Sequence, residues 1–107
     1  MINRFMRIIV FFDLPVVTKT QRKTYAKFRK FLINSGFEMI QFSVYARTTR
    51  NNDDASKYVL MVDKNKPLEG SVRVLTVTEK QYNSMILLVG EKTASEKFLS
   101  TNEILDL

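Results

Sequence analysis

Phe5-Met6-Arg7-Ile8-Ile9-Val10-Phe11-Phe12-Asp13-Leu14-Pro15 is the stretch on which the fold turns. Apolar, aromatic and β-branched residues follow one another almost without a break, and Pro15 stops the run because it has no N–H to give to a ladder. A strand with one wet face alternates apolar and polar residues. A continuous apolar strand predicts cover on both faces and a central place in a sheet.

Downstream, Thr18-Lys19-Thr20-Gln21 has the capping-box spacing of a helix start, and Gly36 supplies the matching stop. At about 100° per residue, Tyr25, Phe28, Phe31 and Leu32 fall on one face of this helix, with Lys19, Lys23, Lys27 and Lys30 on the other. That lysine stripe fits either a solvated face or a track for phosphates. The stretch from Phe37 to Thr49 reads as a strand pair turning near Gln41 to Ser43. Asn51-Asn52-Asp53-Asp54 forms an N-cap cluster for a second helix through Ala55, Val59 and Val62 that must end before Pro67. Ser71 to Thr78 returns as a strand, and Met85 to Val89, closed by Gly90, reads as one more buried strand.

The order β-α-β-β-α-β with an additional C-terminal strand predicts an α+β, ferredoxin-like sandwich over residues 1–90, followed by a polar tail at 91–107. Both helices of such a sandwich lie on one side of its sheet. The apolar second faces of the first and last strands therefore predict a second copy of the chain as cover, giving a two-fold homodimer. Phe98, Leu99, Ile104, Leu105 and Leu107 in the tail offer a docking segment for a partner.

At 107 residues the chain is the size of one domain, and it has neither Cys nor His. Disulfides, thiolate metal sites, cysteine nucleophiles and imidazole acid–base catalysis are thereby excluded, and a reducing, cytoplasmic setting is the expectation. No apolar stretch is long enough for a membrane span. The net charge of +6 is uneven: residues 1–50 carry ten basic and two acidic side chains, residues 51–107 seven and nine. Such asymmetry points to a polyanion on one surface.

Asp13 is one of two acids in the basic half, and it closes the first strand just before the Leu14-Pro15 turn. It could cap that turn. Equally, a two-fold axis nearby would pair it with its mate, giving two carboxylates for one Mg²⁺ per dimer interface and water activation for phosphodiester attack. Ser43 and Tyr45 are expected on one face of a strand, with Phe42 and Val44 on the other, their hydroxyls meeting phosphate, bound water or ordinary core contacts.

Together, Phe12-Asp13-Leu14-Pro15 at a strand end, Arg22-Lys23 on a basic helix, Gly36-Phe37 and Gln41-Phe42-Ser43-Val44-Tyr45 resemble Cas protein two, the small adaptation subunit of CRISPR systems. Thr76 to Tyr82 is similar to members that accompany type II systems. The resemblance implies a ferredoxin-like homodimer that takes part in spacer acquisition by joining two dimers of the CRISPR integrase, Cas protein one, and holding double-stranded DNA. It also implies a Mg²⁺-dependent endonuclease on duplex DNA or single-stranded RNA, with Asp13 as the catalytic and metal-binding residue and Phe12, Ser43 and Tyr45 as its supports. Arg22, Lys23, Lys27, Arg47 and Arg50 are expected to contact the nucleic-acid backbone without reading sequence. Phe12 stands where Tyr is common in the family, and Met39 where many relatives carry Arg. A regulatory ferredoxin-like module that binds no nucleic acid is the alternative at the level of fold.

Overall fold

In the computed structural model, which describes residues 4–97, strand β1 (Met6–Asp13) is hydrogen-bonded on both edges. It runs antiparallel to β3 (Val44–Thr49) from Met6↔Thr49 to Phe11↔Val44, and antiparallel to β4 (Ser71–Thr78) from Met6↔Thr78 to Asp13↔Ser71. Strand β2 (Glu38–Gln41) pairs with β3 through a bulge between Met39 and Gln41, so the sheet order is β2-β3-β1-β4. With helices α1 (Lys19–Asn34) and α2 (Asn52–Asn65), this is the expected ferredoxin-like arrangement.

The local signals act as read. Thr18 Oγ1 accepts from the Gln21 N–H while Gln21 Oε1 accepts from the Thr18 N–H. Asn51 Oδ1 accepts from the Asp54 N–H, and α2 ends at Asn65, ahead of Pro67. Gly36 and Gly70 adopt φ of +85° and +87°, conformations that side chains disfavour. Alternation along β1 sends Ile8, Val10 and Phe12 under the helices, where they pack with Phe28, Leu32, Tyr45, Ala55 and Val62. Arg7, Ile9, Phe11 and Asp13 point to the other face.

That other face departs from expectation, because the chain covers half of it itself. A short helix α3 (Glu79–Asn83) follows β4 directly and sets Tyr82 over Ile9 and Ala46. Arg7 is only 2% exposed; its guanidinium lies 4.1 Å from the Tyr82 ring centroid, and Nε donates to Glu79 Oε2 at 3.0 Å. Tyr82 Oη donates to Glu96, whose carboxylate also accepts from the Thr93 N–H, and Ser95 Oγ donates to Glu38 at 2.8 Å. These side chains clasp α3 and the helical turn at 94–97 to the sheet.

Burial opposes the charge on Arg7, but the hydrogen bond and charge of Glu79 outweigh it and hold the guanidinium above its usual range. For Glu96, too, burial opposes ionisation; the Tyr82 hydroxyl and the Thr93 donors prevail and hold the carboxyl below its usual range. Burial first, then the Glu96 carboxylate, pushes the Tyr82 hydroxyl well above its ordinary value.

Met85 to Val89 does not form the expected strand. The run crosses the surface without regular structure, and each of its five side chains is between 48% and 90% exposed. The residues are apolar, as a buried strand requires, but no neighbour among the described residues buries them. The proposed docking residues Phe98 to Leu107 lie outside the described residues.

Two outcomes follow from this packing. A Cβ on Gly70 would sit 2.5 Å from the Asp13 carbonyl oxygen at a positive φ, so Gly70→Ala should lower stability by about 1–3 kcal/mol in urea unfolding with an unchanged m value. A carboxyl with a depressed folded pKa stabilises above its unfolded pKa, and that stabilisation is lost as pH falls through the folded value. Below the ordinary Glu range of about pH 4.3, amides at 93–97 should therefore lose protection, relative to their intrinsic exchange rates, before those in β1, and Glu96→Gln should flatten that difference.

Candidate nucleic-acid interface and carboxylate site

Asp13 ends β1 on the half of the sheet that the clasp leaves bare. Its side chain is exposed, and among the described residues it has no hydrogen-bond or ion-pair partner. The turn-capping alternative is therefore not realised, since Thr18 caps α1. Asp13 lies opposite Ser71 on β4, and two residues back Phe11 lies opposite Arg73. Asp13, Arg73, Ser71, Ser43 and Phe42 border a shallow cleft of about 240 Å³ at this end of the sheet. Phe11, which also lines the cleft, and Leu75 expose apolar surface on the bare half.

The residues expected to support Asp13 have other duties. Phe12 faces the helices, in edge-to-face contact with Phe28 and stacked on Tyr45 at 5.6 Å. Tyr45 is buried beside it, and its hydroxyl accepts from Arg29 Nε at 2.8 Å. Of the roles open to that hydroxyl, the core contact is the one observed. Ser43 does not share a strand face with Tyr45: it occupies the β2–β3 turn at φ 62°, and its carbonyl accepts from the Phe12 N–H at 3.0 Å. Strand alternation breaks at that turn, and with it the expected common face for the two hydroxyls. Ser43 borders the cleft with Asp13; Tyr45 does not.

The five candidate cations separate in a similar way. Arg22, Lys23 and Lys27 are exposed on α1, which begins at the Asp13 end because only Leu14 to Thr18 link it to β1. Arg22 Nη1 donates to the carbonyls of Val16 and Val17 and holds that link in place. Arg50 is exposed after the far end of β3, beside Asp54, roughly 20 Å away by strand rise. Arg47 is not a surface cation. It lies on the helix face of β3, its guanidinium 3.8 Å from the Tyr58 ring centroid, and Nη1 donates to the Ser35 carbonyl. The absence of a Cβ at Gly36 leaves room for it. Its spacing from Tyr58 and Ser35 in sequence gave no warning of that pocket.

Arg73 is the cation that the motifs missed. It projects from the bare face beside Asp13, and its signal is the polar–apolar alternation of Ser71-Val72-Arg73-Val74. One chain brings a single carboxylate to the cleft, and among the described residues no group of three metal-binding side chains occurs. Asp13 is thus a lone exposed carboxylate at the cleft, fewer ligands than a divalent cation ordinarily takes from protein and substrate together. No helix among the described residues is long and apolar enough to cross a membrane.

Comparison with known proteins agrees with this architecture. The family described as "CRISPR associated protein Cas2" matches residues 6–85, from the first residue of β1 to just past α3. A protein of Acidovorax ebreus named "CRISPR-associated endoribonuclease Cas2" is 54% identical over 99 residues, 92% of this chain and 97% of the relative. A protein of the same name from Treponema denticola is 51% identical over 98 residues, 92% of this chain and 95% of the relative. A solved structure described as "Crystal structure of cas2" superposes with a TM-score of 0.57 at 17% identity, covering 84% of this chain and 92% of that one, a likeness of fold. With the family motif spanning β1 to α3 and half the residues shared with full-length relatives, this chain belongs to the Cas2 family of CRISPR-associated proteins.

Proposed function

We propose that the chain works as a homodimer in spacer acquisition, joining two dimers of the CRISPR integrase, Cas protein one, and gripping the backbone of incoming double-stranded DNA. The observation that carries this reading is the bare half of the sheet: Phe11 and Leu75 are exposed there, and the run from Met85 to Val89 is exposed as well, more apolar surface than a lone protomer ordinarily leaves wet. Two copies meeting there would set Asp13 against its mate and extend the cationic surface of each α1 across a two-fold axis. Arg22, Lys23, Lys27 and Arg50 are the phosphate contacts in this reading, and Arg47 is omitted because its guanidinium is held by Tyr58 and Ser35.

A second reading has specific support from the relatives named endoribonucleases and from the uncommitted Asp13 carboxylate. In it, Asp13 from both protomers holds one Mg²⁺, with Ser43 and Ser71 at the cleft wall. When bound, the cation supplies charge neutralisation at the phosphate and a more acidic water for phosphodiester hydrolysis. What the chain itself contributes is a fixed carboxylate, pinned from behind by the close approach of Gly70 to the Asp13 backbone, and Arg73 as an anion contact.

Replacing Arg22, Lys23, Lys27 and Arg50 by Ala should weaken duplex binding in the presence of the integrase. The slope of log affinity against log salt should flatten by about 0.9 for each phosphate that is no longer neutralised; an unchanged slope would remove these residues from the interface. Arg47→Ala should instead lower stability by about 1–2 kcal/mol, seen as an earlier urea midpoint. Asp13→Ala should abolish Mg²⁺-stimulated cleavage while the sedimenting mass stays that of a dimer. Spacer acquisition that survives Asp13→Ala supports the bridge, and its loss in an intact dimer supports the nuclease.

A further inference from the structure

The tip of the β2–β3 hairpin carries a phenyl ring where such turns ordinarily carry Asn, Asp or Gly. Phe42 is 79% exposed, so hydrophobic burial does not account for it. Tyr25 from α1 lies nearly parallel to the ring, with centroids 6.4 Å apart and planes 24° apart. Tyr25 in turn packs on buried Phe12 at 5.8 Å. The surface ring is thus propped by aromatics rooted in the core, and the Phe12 N–H to Ser43 carbonyl bond pins the turn that presents it.

Two guanidiniums flank this support. Arg22 and Arg29 stand three residues before and four after Tyr25, on the same side of α1. Each is oriented by one anchor, Arg22 by the Val16 and Val17 carbonyls and Arg29 by the Tyr45 hydroxyl, which leaves further N–H donors free to face solvent. A rigid exposed ring between held cations is how single strands are bound without sequence preference: a base stacks while its phosphates follow the charges. Paired bases inside a duplex cannot reach such a ring.

We propose that Phe42, backed by Tyr25, is a stacking platform for one unpaired nucleobase whose flanking phosphates meet Arg22 and Arg29. Because Phe42 also borders the cleft that holds Asp13, the stacked base would set which phosphodiester reaches that carboxylate. This rests on the nucleic-acid-binding reading above and adds a strand preference to it.

The 107-residue chain contains no Trp, so Phe42→Trp installs a single indole reporter. Binding would be measured at low salt to a short oligothymidylate, the matching oligouridylate, the same backbone with abasic sites, and a duplex of equal length. Phe42→Ala should weaken both single strands about tenfold, within the range for one stacked base, and leave the abasic strand and the duplex unchanged. Phe42→Trp should keep the parental affinity, with its emission quenched by oligothymidylate and not by the abasic strand. Unequal losses for the two single strands would name the strand type preferred and still support the stack. Equal losses for single strand and duplex, an unquenched indole at saturation, or a changed sedimenting mass on Phe42→Ala would overturn it. Should the parental chain bind none of the probes, the nucleic-acid reading falls as well; should it bind all of them equally with and without the ring, this inference alone falls.

Discussion

The double pairing of β1 is the constraint from which the rest follows. Hydrogen bonds to β3 and β4 on its two edges leave no freedom of register, so alternation assigns each side chain to one face. Ile8, Val10 and Phe12 go to the helices, and Arg7, Ile9, Phe11 and Asp13 to the opposite side. A one-residue slip would exchange the two sets, turning the Asp13 carboxylate into the core and the Phe12 ring out to the opposite face. The exposure of Asp13 and the aromatic ladder behind Phe42 are therefore consequences of one ladder.

That register also explains why the basic character of the first half does not translate directly into surface charge. Arg7 is enclosed by Glu79 and Tyr82, and Arg47 by Tyr58 and Ser35, so two of the ten cations in residues 1–50 hold layers of the fold together. An ion pair as enclosed as Arg7–Glu79 gains little net stability after desolvation, but losing either partner would leave the other charge buried, and the pair ties the start of α3 to β1. Of the exposed cations that remain, Lys19, Arg22 and Lys23 lie in the first turns of α1, near the end of the sheet that also carries Asp13 and Arg73, whereas Arg50 lies at the opposite end.

Features encoded within a few residues were legible in the sequence. The Thr18 and Asn51 caps, the stop at Gly36, the hairpin turn and the strand ending at Asp13 all rest on neighbours in the chain, and so the fold class could be read. What escaped depends on partners far away. Arg7 meets Glu79 across 72 positions, and nothing near Arg7 reveals the ring that covers it. A signal for α3 did exist, because Thr78-Glu79-Lys80-Gln81 repeats the capping-box spacing of Thr18-Lys19-Thr20-Gln21. Met85 to Val89 shows the converse: composition reports that residues are apolar, but not whether their own chain supplies the cover. At the site, the position of Asp13 at a strand end was legible, whereas Phe42 and Ser43 were misplaced because the turn at Ser43 interrupts alternation.

The pairing distances also order the assembly of the fold in time. The β2–β3 hairpin joins residues three to eight apart, Gln41 to Val44 and Glu38 to Ala46, and can close by itself within microseconds. The β1–β4 ladder joins residues 58 to 72 apart, Asp13 to Ser71 and Met6 to Thr78, and must first overcome the entropy of a long loop. The hairpin tip with its exposed ring thus belongs to the early part of folding. The wall of the carboxylate cleft waits for the last strand to arrive, so a chain slowed in that final docking would present the ring without the acid beside it.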